Sequence, residues 1–294
     1  MKILLATDGS EYSEDAARFV TRFALSKEDQ VVVLHVVSTV PYDDDYAAQI
    51  RQVIKKVAPK ILAAAKDILK PLKAEIIAVE EEGYPDTKII EMAGDWESDL
   101  IVMGARGVRG VQLLFLGSST RAVAISSPKP VLVFKRPPWE ASEKMKVLFA
   151  TDGSETAEAA GRFLVTLPLP DTTEITVLHC GLSFISDIPE KYLKEEGRQI
   201  TERKPSTYRG SEAIFSRANA YLSDKFTKVD YLLSIGDPSR EILAAEKALQ
   251  PDIIVMGCRG LRGIKSMMGS ASRRILSHSA SSVLIGKPCA KAQS

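Results

Sequence analysis

Lys2 to Glu11 reads KILLATDGSE, and Lys146 to Glu155 reads KVLFATDGSE. Eight of these ten residues are identical at an offset of 144, so one folding unit occurs twice in the chain. Downstream, DLIVMGARGVRG from Asp99 to Gly110 matches DIIVMGCRGLRG from Asp252 to Gly263 in nine of twelve positions, at an offset of 153. Between these anchors Gly83-Tyr84-Pro85 answers Gly236-Asp237-Pro238, and Leu34-His35 answers Leu178-His179. The copies abut at Arg136-Pro137-Pro138-Trp139-Glu140, where adjacent prolines make a short stiff linker. The expected units are residues 1–138 and 139–294, which suits 294 residues at ~150 per domain.

Each copy alternates short β-branched apolar runs with longer segments of helical periodicity, the pattern of a parallel sheet covered by helices. The expected strands are Lys2–Ala6, Gln30–Val37, Ala74–Val79, Leu100–Gly104 and Val131–Lys135 in the first copy. In the second they are Lys146–Ala150, Glu174–Cys180, Val229–Ile235, Ile253–Gly257 and Val283–Gly286. Five strands and four helices per copy predict an α/β fold of two tandem doubly wound domains, each a five-stranded parallel sheet of Rossmann-like order 3-2-1-4-5.

Composition narrows the function classes. Lys and Arg number 39 against 38 Asp and Glu, which gives no reason to expect nucleic acid or an anionic membrane as partner. The apolar start of MKILLATDGS is too short for a signal peptide and no run approaches a membrane span, so a soluble cytoplasmic protein is expected. Cys180, Cys258 and Cys289 lack CxxC spacing and predict neither a zinc site nor a disulfide framework.

In open α/β sheets, ligands bind beyond the C-terminal strand ends where strand order reverses. The two best-repeated segments both fall there. Ala6 and the Thr7-Asp8-Gly9-Ser10 turn end strand one, and Met103-Gly104-Ala105-Arg106-Gly107 ends strand four. Side by side, they form opposite walls of a crevice in which Asp8 offers a carboxylate to sugar hydroxyls and the glycines let backbone N–H groups approach an anion. Gly117-Ser118-Ser119-Thr120 then opens a helix, a phosphate seat that needs no lysine.

The spacing Gly104, two residues, Gly107, nine residues, Gly117-Ser118 resembles the G-x2-G-x9-G-S/T pattern of ATP-binding universal stress proteins. ATDGSE and the LHVV at Leu34 to Val37 resemble that family's first and second strands, and both copies resemble it over nearly their whole length. The resemblance implies a stress-response or regulatory protein that binds ATP or AMP, with or without Mg. Adenine would be read by backbone at Val36 with Ala6 alongside, ribose by Asp8, and the phosphates by Gly104 to Gly110, including Arg106, Gly107 and Arg109, and by Ser118, Ser119 and Thr120. In the second copy the matching positions are Asp152, Cys180, Gly257, Gly260, Gly263 and Ser270. The alternatives are a nucleotide-free interaction scaffold and a slow ATPase, the latter without an identifiable general base or Walker motif. Single-domain relatives commonly dimerise through the last strand. Val131–Lys135 and Val283–Gly286 are therefore expected to pair as an internal pseudo-dimer, with a homodimer and an unknown protein partner left open.

Several residues carry a structural reading beside the functional one. Asp8 and Asp152 also suit turns that cap the next helix, and the loop arginines, including Arg259 and Arg262, also suit solvent. His35 and His179 are expected as packed histidines, and Cys180 with Cys258 as small buried residues rather than a redox pair. The charged stretch Gly181 to Gly210 reads as a solvated loop with a short helix, or as a lid or partner-docking element. Between Gly260 and Gly269 the second copy has one residue fewer than the first has between Gly107 and Gly117. That deletion predicts a displaced Ser270 hydroxyl and a weaker second site.

Overall fold

The computed structural model describes residues 1–38, 45–107, 116–140, 143–181, 207–260 and 268–288. In chain order the first half contains β1 (Lys2–Ala6), α1 (Glu11–Val20), β2 (Gln30–Ser38), α2 (Asp45–Leu69), β3 (Glu75–Gly83), α3 (Pro85–Asp95), β4 (Leu100–Gly104), α4 (Ser118–Ser126) and β5 (Val131–Phe134). The second contains β6 (Lys146–Ala150), α5 (Glu155–Thr166), β7 (Glu174–Gly181), α6 (Thr207–Leu222), β8 (Lys228–Ile235), α7 (Pro238–Leu249), β9 (Ile253–Gly257), α8 (Ser270–His278) and β10 (Ser282–Gly286). The stretch 182–206, which holds most of the charged segment of the second copy, lies outside the described residues.

All ten strands form one sheet in the order β3-β2-β1-β4-β5-β10-β9-β6-β7-β8. Each half thus has the order 3-2-1-4-5, with parallel neighbours throughout. Among the described residues, the single antiparallel join is β5 against β10, where Val133 faces Val283, Leu132 faces Leu284 and Val131 faces Ile285. This join turns two edge strands into interior ones, which is why VLVF and SVLIG are buried along their whole length. Strand side chains alternate between two core layers. Ile3 and Leu5 pack towards α1 and α2, whereas Leu4 and Ala6 pack towards α3 and α4, and both layers run on through the second half.

One strand boundary differs substantially from the sequence expectation. β3 continues through Glu80-Glu81-Glu82 to Gly83 because β2 runs on to Ser38 and pairs with it residue for residue. As an edge strand, β3 exposes Glu80 and Glu82, with Glu81 half-buried on the other face, and these charges resist pairing with another chain.

Side chains also tie the halves together. Arg22 forms an ion pair with Asp252 at 2.6 Å, and the Ala24 N–H donates to the Pro168 carbonyl at 2.7 Å. Lys135, just after β5, reaches into the second half and donates from Nζ to the carbonyls of Leu276 (2.8 Å) and Ser279 (2.7 Å). Lys287, just after β10, does the reverse, donating to Ala124 (3.0 Å) and Ile125 (3.1 Å).

Burial lowers the Lys135 pKa from 10.5 to about 8, with Glu246 opposing the shift and Arg106 adding to it. Below pH 8 both folded and unfolded chains hold the proton, and the desolvation penalty is fully present. Between about 8 and 10.5 the unfolded chain binds more protons, so this residue's contribution to stability rises with pH. The gap corresponds to on the order of 3 kcal/mol as an upper bound. Urea unfolding followed from pH 7.5 to 10 is expected to show a positive slope that flattens in Lys135→Met. Equal slopes in the two proteins would contradict the assignment.

Candidate functional site

The Thr7–Ser10 turn is built by its own side chains. The Ser10 N–H and hydroxyl both meet Asp8 Oδ1, at 3.0 and 2.6 Å, and the Gly9 N–H reaches Thr7 Oγ1 at 3.3 Å. Gly9 has φ +76°, a conformation that glycine adopts without steric cost. Ser10 then caps α1 by accepting from the Ser13 N–H. The turn is also tied to β2. The Thr7 N–H donates to the Leu34 carbonyl at 2.9 Å, and the buried His35 places Nδ1 2.9 Å from the Thr7 carbonyl. A carbonyl only accepts, so His35 carries its proton on Nδ1. His179 repeats the contact with the Thr151 carbonyl at 2.8 Å, giving both histidines a structural role.

The opposite wall is the end of β4. A methyl on Gly104 would sit 2.8 Å from the Tyr12 carbonyl carbon and oxygen, so only glycine lets α1 approach this closely. A methyl on Gly107 would overlap Asp8 Oδ2. The Asp8 carboxylate therefore lies directly against the backbone of the glycine loop, and one of its oxygens holds the turn. α4 begins at Gly117, whose N–H donates to the Ala105 carbonyl at 2.9 Å. Gly117 has no side chain to accept the first-turn amides of Ser118, Ser119 and Thr120, unlike Ser10 at α1. Ser118 is exposed and Ser119 half-buried at this helix start.

The structure brings Ala6, Thr7, Asp8, Met103, Gly104, Gly107 and Gly117 to the C-terminal edges of adjacent strands β1 and β4. Val36 lies one strand away on β2, half-buried opposite Glu81. Arg109, Gly110 and Gly263 lie outside the described residues.

The second half repeats the arrangement. The Ser154 N–H donates to Asp152 Oδ1 at 3.0 Å, and a methyl on Gly260 would sit 2.7 Å from Asp152 Oδ2. A methyl on Gly257 would sit 2.7 Å from the Ala157 nitrogen. The Gly269 N–H donates to the Cys258 carbonyl at 2.9 Å, as Gly117 does to Ala105. The expected displacement of Ser270 is therefore corrected. Both ends of the shorter loop are held as in the first half, and Ser270 is exposed like Ser118.

The sequence profile of the universal stress protein family matches residues 1–135 and 144–287. The chain belongs to the universal stress protein family. A universal stress protein of Methanocaldococcus jannaschii is 31% identical over 140 residues, which is 46% of this chain and 82% of the relative. Another from Mycolicibacterium smegmatis has tandem length, 22% identical with 97% of both chains covered. The crystal structure of a universal stress protein from Archaeoglobus fulgidus superposes with a TM-score of 0.63 at 23% identity, covering 97% of this chain and 96% of that one.

Within this universal stress protein fold, two sequence expectations, for Thr120 and Arg106, meet a different geometry. Thr120 is buried and donates its hydroxyl proton to the Gly104 carbonyl at 2.9 Å, and Ser272 does the same to Gly257 at 2.8 Å. These hydroxyls clamp strand to helix, so their protons are already committed. Thr120→Val is expected to cost about 1 kcal/mol in urea unfolding while leaving nucleotide affinity within about twofold by calorimetry. Arg106 donates to the Tyr12 hydroxyl at 3.1 Å with its guanidinium over the ring, so this geometry holds it on α1. Burial, followed by the charges of Glu241 and Asp237, pushes the Cys180 thiol up to about 12. A thiol that stays protonated near neutral pH is a poor nucleophile, which weighs against a redox role.

The sequence reading missed Ser10 and Ser154 as turn builders, although Asp-Gly-Ser is a recognisable Asx-turn signal. It also missed the two crossing lysines, for which no local signal exists. Among the described residues, no group of three or more His, Cys, Asp or Glu side chains converges as a metal site. No helix there is long and apolar enough to cross a membrane.

Proposed function

We propose that the protein binds an adenine nucleotide, ATP or AMP, in each of its two crevices and acts as a stress-response or regulatory protein in the cytoplasm. The two functional units are residues 1–138 and 139–294. The observation that carries the reading is the repeated juxtaposition of Asp8 with Gly107, and of Asp152 with Gly260, beside a helix that opens on glycine. A carboxylate suits ribose hydroxyls, and first-turn amides with exposed serines suit phosphate oxygens. Ala6 and Val36, or Ala150 and Cys180, flank the position for the base. The residues fit the nucleotide without a resident metal, and Mg would enter with the phosphates of ATP.

Binding is favoured over hydrolysis. The histidines near the crevices are committed to backbone carbonyls, and Asp8 is held by Ser10, so among the described residues no poised base stands beside the phosphate seat. Nucleotide occupancy would order the glycine loops and change a surface that a protein partner reads.

Native mass spectrometry is expected to find up to two nucleotides per chain. Thermal unfolding should shift upward with ATP or AMP, since ligand at 100 times its Kd adds about 2.7 kcal/mol. Saturating ATP, ADP and AMP without any shift would leave the interaction-scaffold reading in its place.

A further inference from the structure

We infer that each candidate nucleotide site is positioned from the opposite half of the chain, by a lysine that caps the far end of its phosphate-seat helix. The inference rests on the proposed nucleotide reading for its functional meaning. Its geometry is independent of that reading.

α4 starts at the first-half site and ends at Ser126, with no basic residue of its own in the last turn. Its terminal carbonyls of Ala124 and Ile125 instead receive the Lys287 ammonium, which is largely buried. α8 starts at the second-half site, and the Leu276 carbonyl in its last turn and the carbonyl of its C-cap residue Ser279 receive Lys135. Both lysines directly follow the two strands that join the halves, β5 and β10. The exchange is therefore reciprocal and follows from that antiparallel join.

A helix whose negative end is met by a cation is held in place and presents a more favourable N-terminus to an anion. Lys287 and Lys135 touch neither crevice and act through the helices, so they are positioning residues. Charged groups surround each head group. Glu246 on α7 and Arg106 in the first glycine loop act on Lys135, and Arg259 in the second loop acts on Lys287 beside the Cys258 thiol. Each lysine thus leaves the joining strand of its own half and ends on the helix of the other. The tandem arrangement then does more than hide sheet edges. It makes the order of one site's helix depend on the other half.

The test uses the full chain. Hydrogen exchange of the free protein is expected to speed up at least threefold in the α4 peptide of Lys287→Met while α8 stays unchanged, and Lys135→Met should give the reverse. A general loss of packing would loosen each lysine's own half or both halves equally, and that outcome overturns the inference. Should a methionine variant fail to fold, the glutamine variants, which keep a polar head group, give the same comparison.

ATP titration adds the functional arm. With the second site disabled by Asp152→Ala, Lys287→Met is expected to weaken ATP by about threefold to tenfold, and Lys135→Met to leave it unchanged. An uncrossed pattern there counts against the inference. If the parent protein binds no ATP, the nucleotide reading fails, and the exchange pattern alone decides the role of the lysines.

Discussion

Gly104→Ala is expected to destabilise the protein by about 3 kcal/mol or more and to abolish binding in the first crevice. The added methyl would sit 2.8 Å from both the carbonyl carbon and the oxygen of Tyr12, and 3.0 Å from the Ser13 nitrogen. These are backbone atoms of the first turn of α1, so relief requires moving the helix. The same turn carries Asp8 through its cap, because Ser10 both holds the Asp8 carboxylate and accepts from the Ser13 N–H. Displacing α1 therefore opens the crevice as well as the core. Gly257→Ala should behave alike in the second half, with its methyl 2.7 Å from the Ala157 nitrogen. Gly94→Ala in α3 is the control. Nothing lies within 4 Å of its methyl, and helix propensity predicts a gain of about 0.5–1 kcal/mol. Urea unfolding measures all three, and a Gly104→Ala protein of wild-type stability would show that the close approach is wrong.

The second large effect concerns Asp8. Replacement by alanine removes the acceptor for both the Ser10 N–H and hydroxyl, which should cost about 1–2 kcal/mol of stability. It also removes the carboxylate that faces Gly107. Loss of charge-assisted bonds to two ribose hydroxyls predicts a fall in ATP affinity of about 30-fold or more at that site. Asp8→Asn separates the two roles. It keeps an oxygen for Ser10 and should retain near-parental stability, yet it loses the charge and with it most of the ribose affinity. Calorimetric stoichiometry should drop from two to one in Asp8→Ala, and to zero when Asp152→Ala is added. A fully active Asp8→Ala protein would move the ribose site elsewhere.

The repeat and the central strands were legible because their signals are local. KILLA, LIVMG and IIVMG are continuous apolar runs, as strands buried on both faces must be. The crevice was legible for a topological reason. Order reversal between β1 and β4 brings the ends of two distant segments together, and Asp8 against Gly107 is that juxtaposition.

Other features depend on side-chain partners far away in sequence. Thr120 reads as a phosphate ligand until its hydroxyl is found on the Gly104 carbonyl. Arg106 reads likewise until Tyr12 takes it. The shorter second loop implied a displaced Ser270, a conclusion drawn from residue count alone. The paired bonds of Gly269 to Cys258 and Ser272 to Gly257 hold the helix start regardless of that count.

By itself, the sequence determined that one α/β unit occurs twice, which strands lie at the centre of each sheet, and which glycines and aspartates meet at the strand ends. Periodicity and repetition carry that information because backbone geometry makes each residue's facing depend on its near neighbours. The family resemblance already implied that β5 and β10 pair, but only the tertiary structure decided that they do so antiparallel within one sheet, and that Lys135 and Lys287 therefore cross to the opposite helices. A lysine's partner is set by where its long stem can reach once the sheet has closed, and no local pattern in the chain encodes that distance.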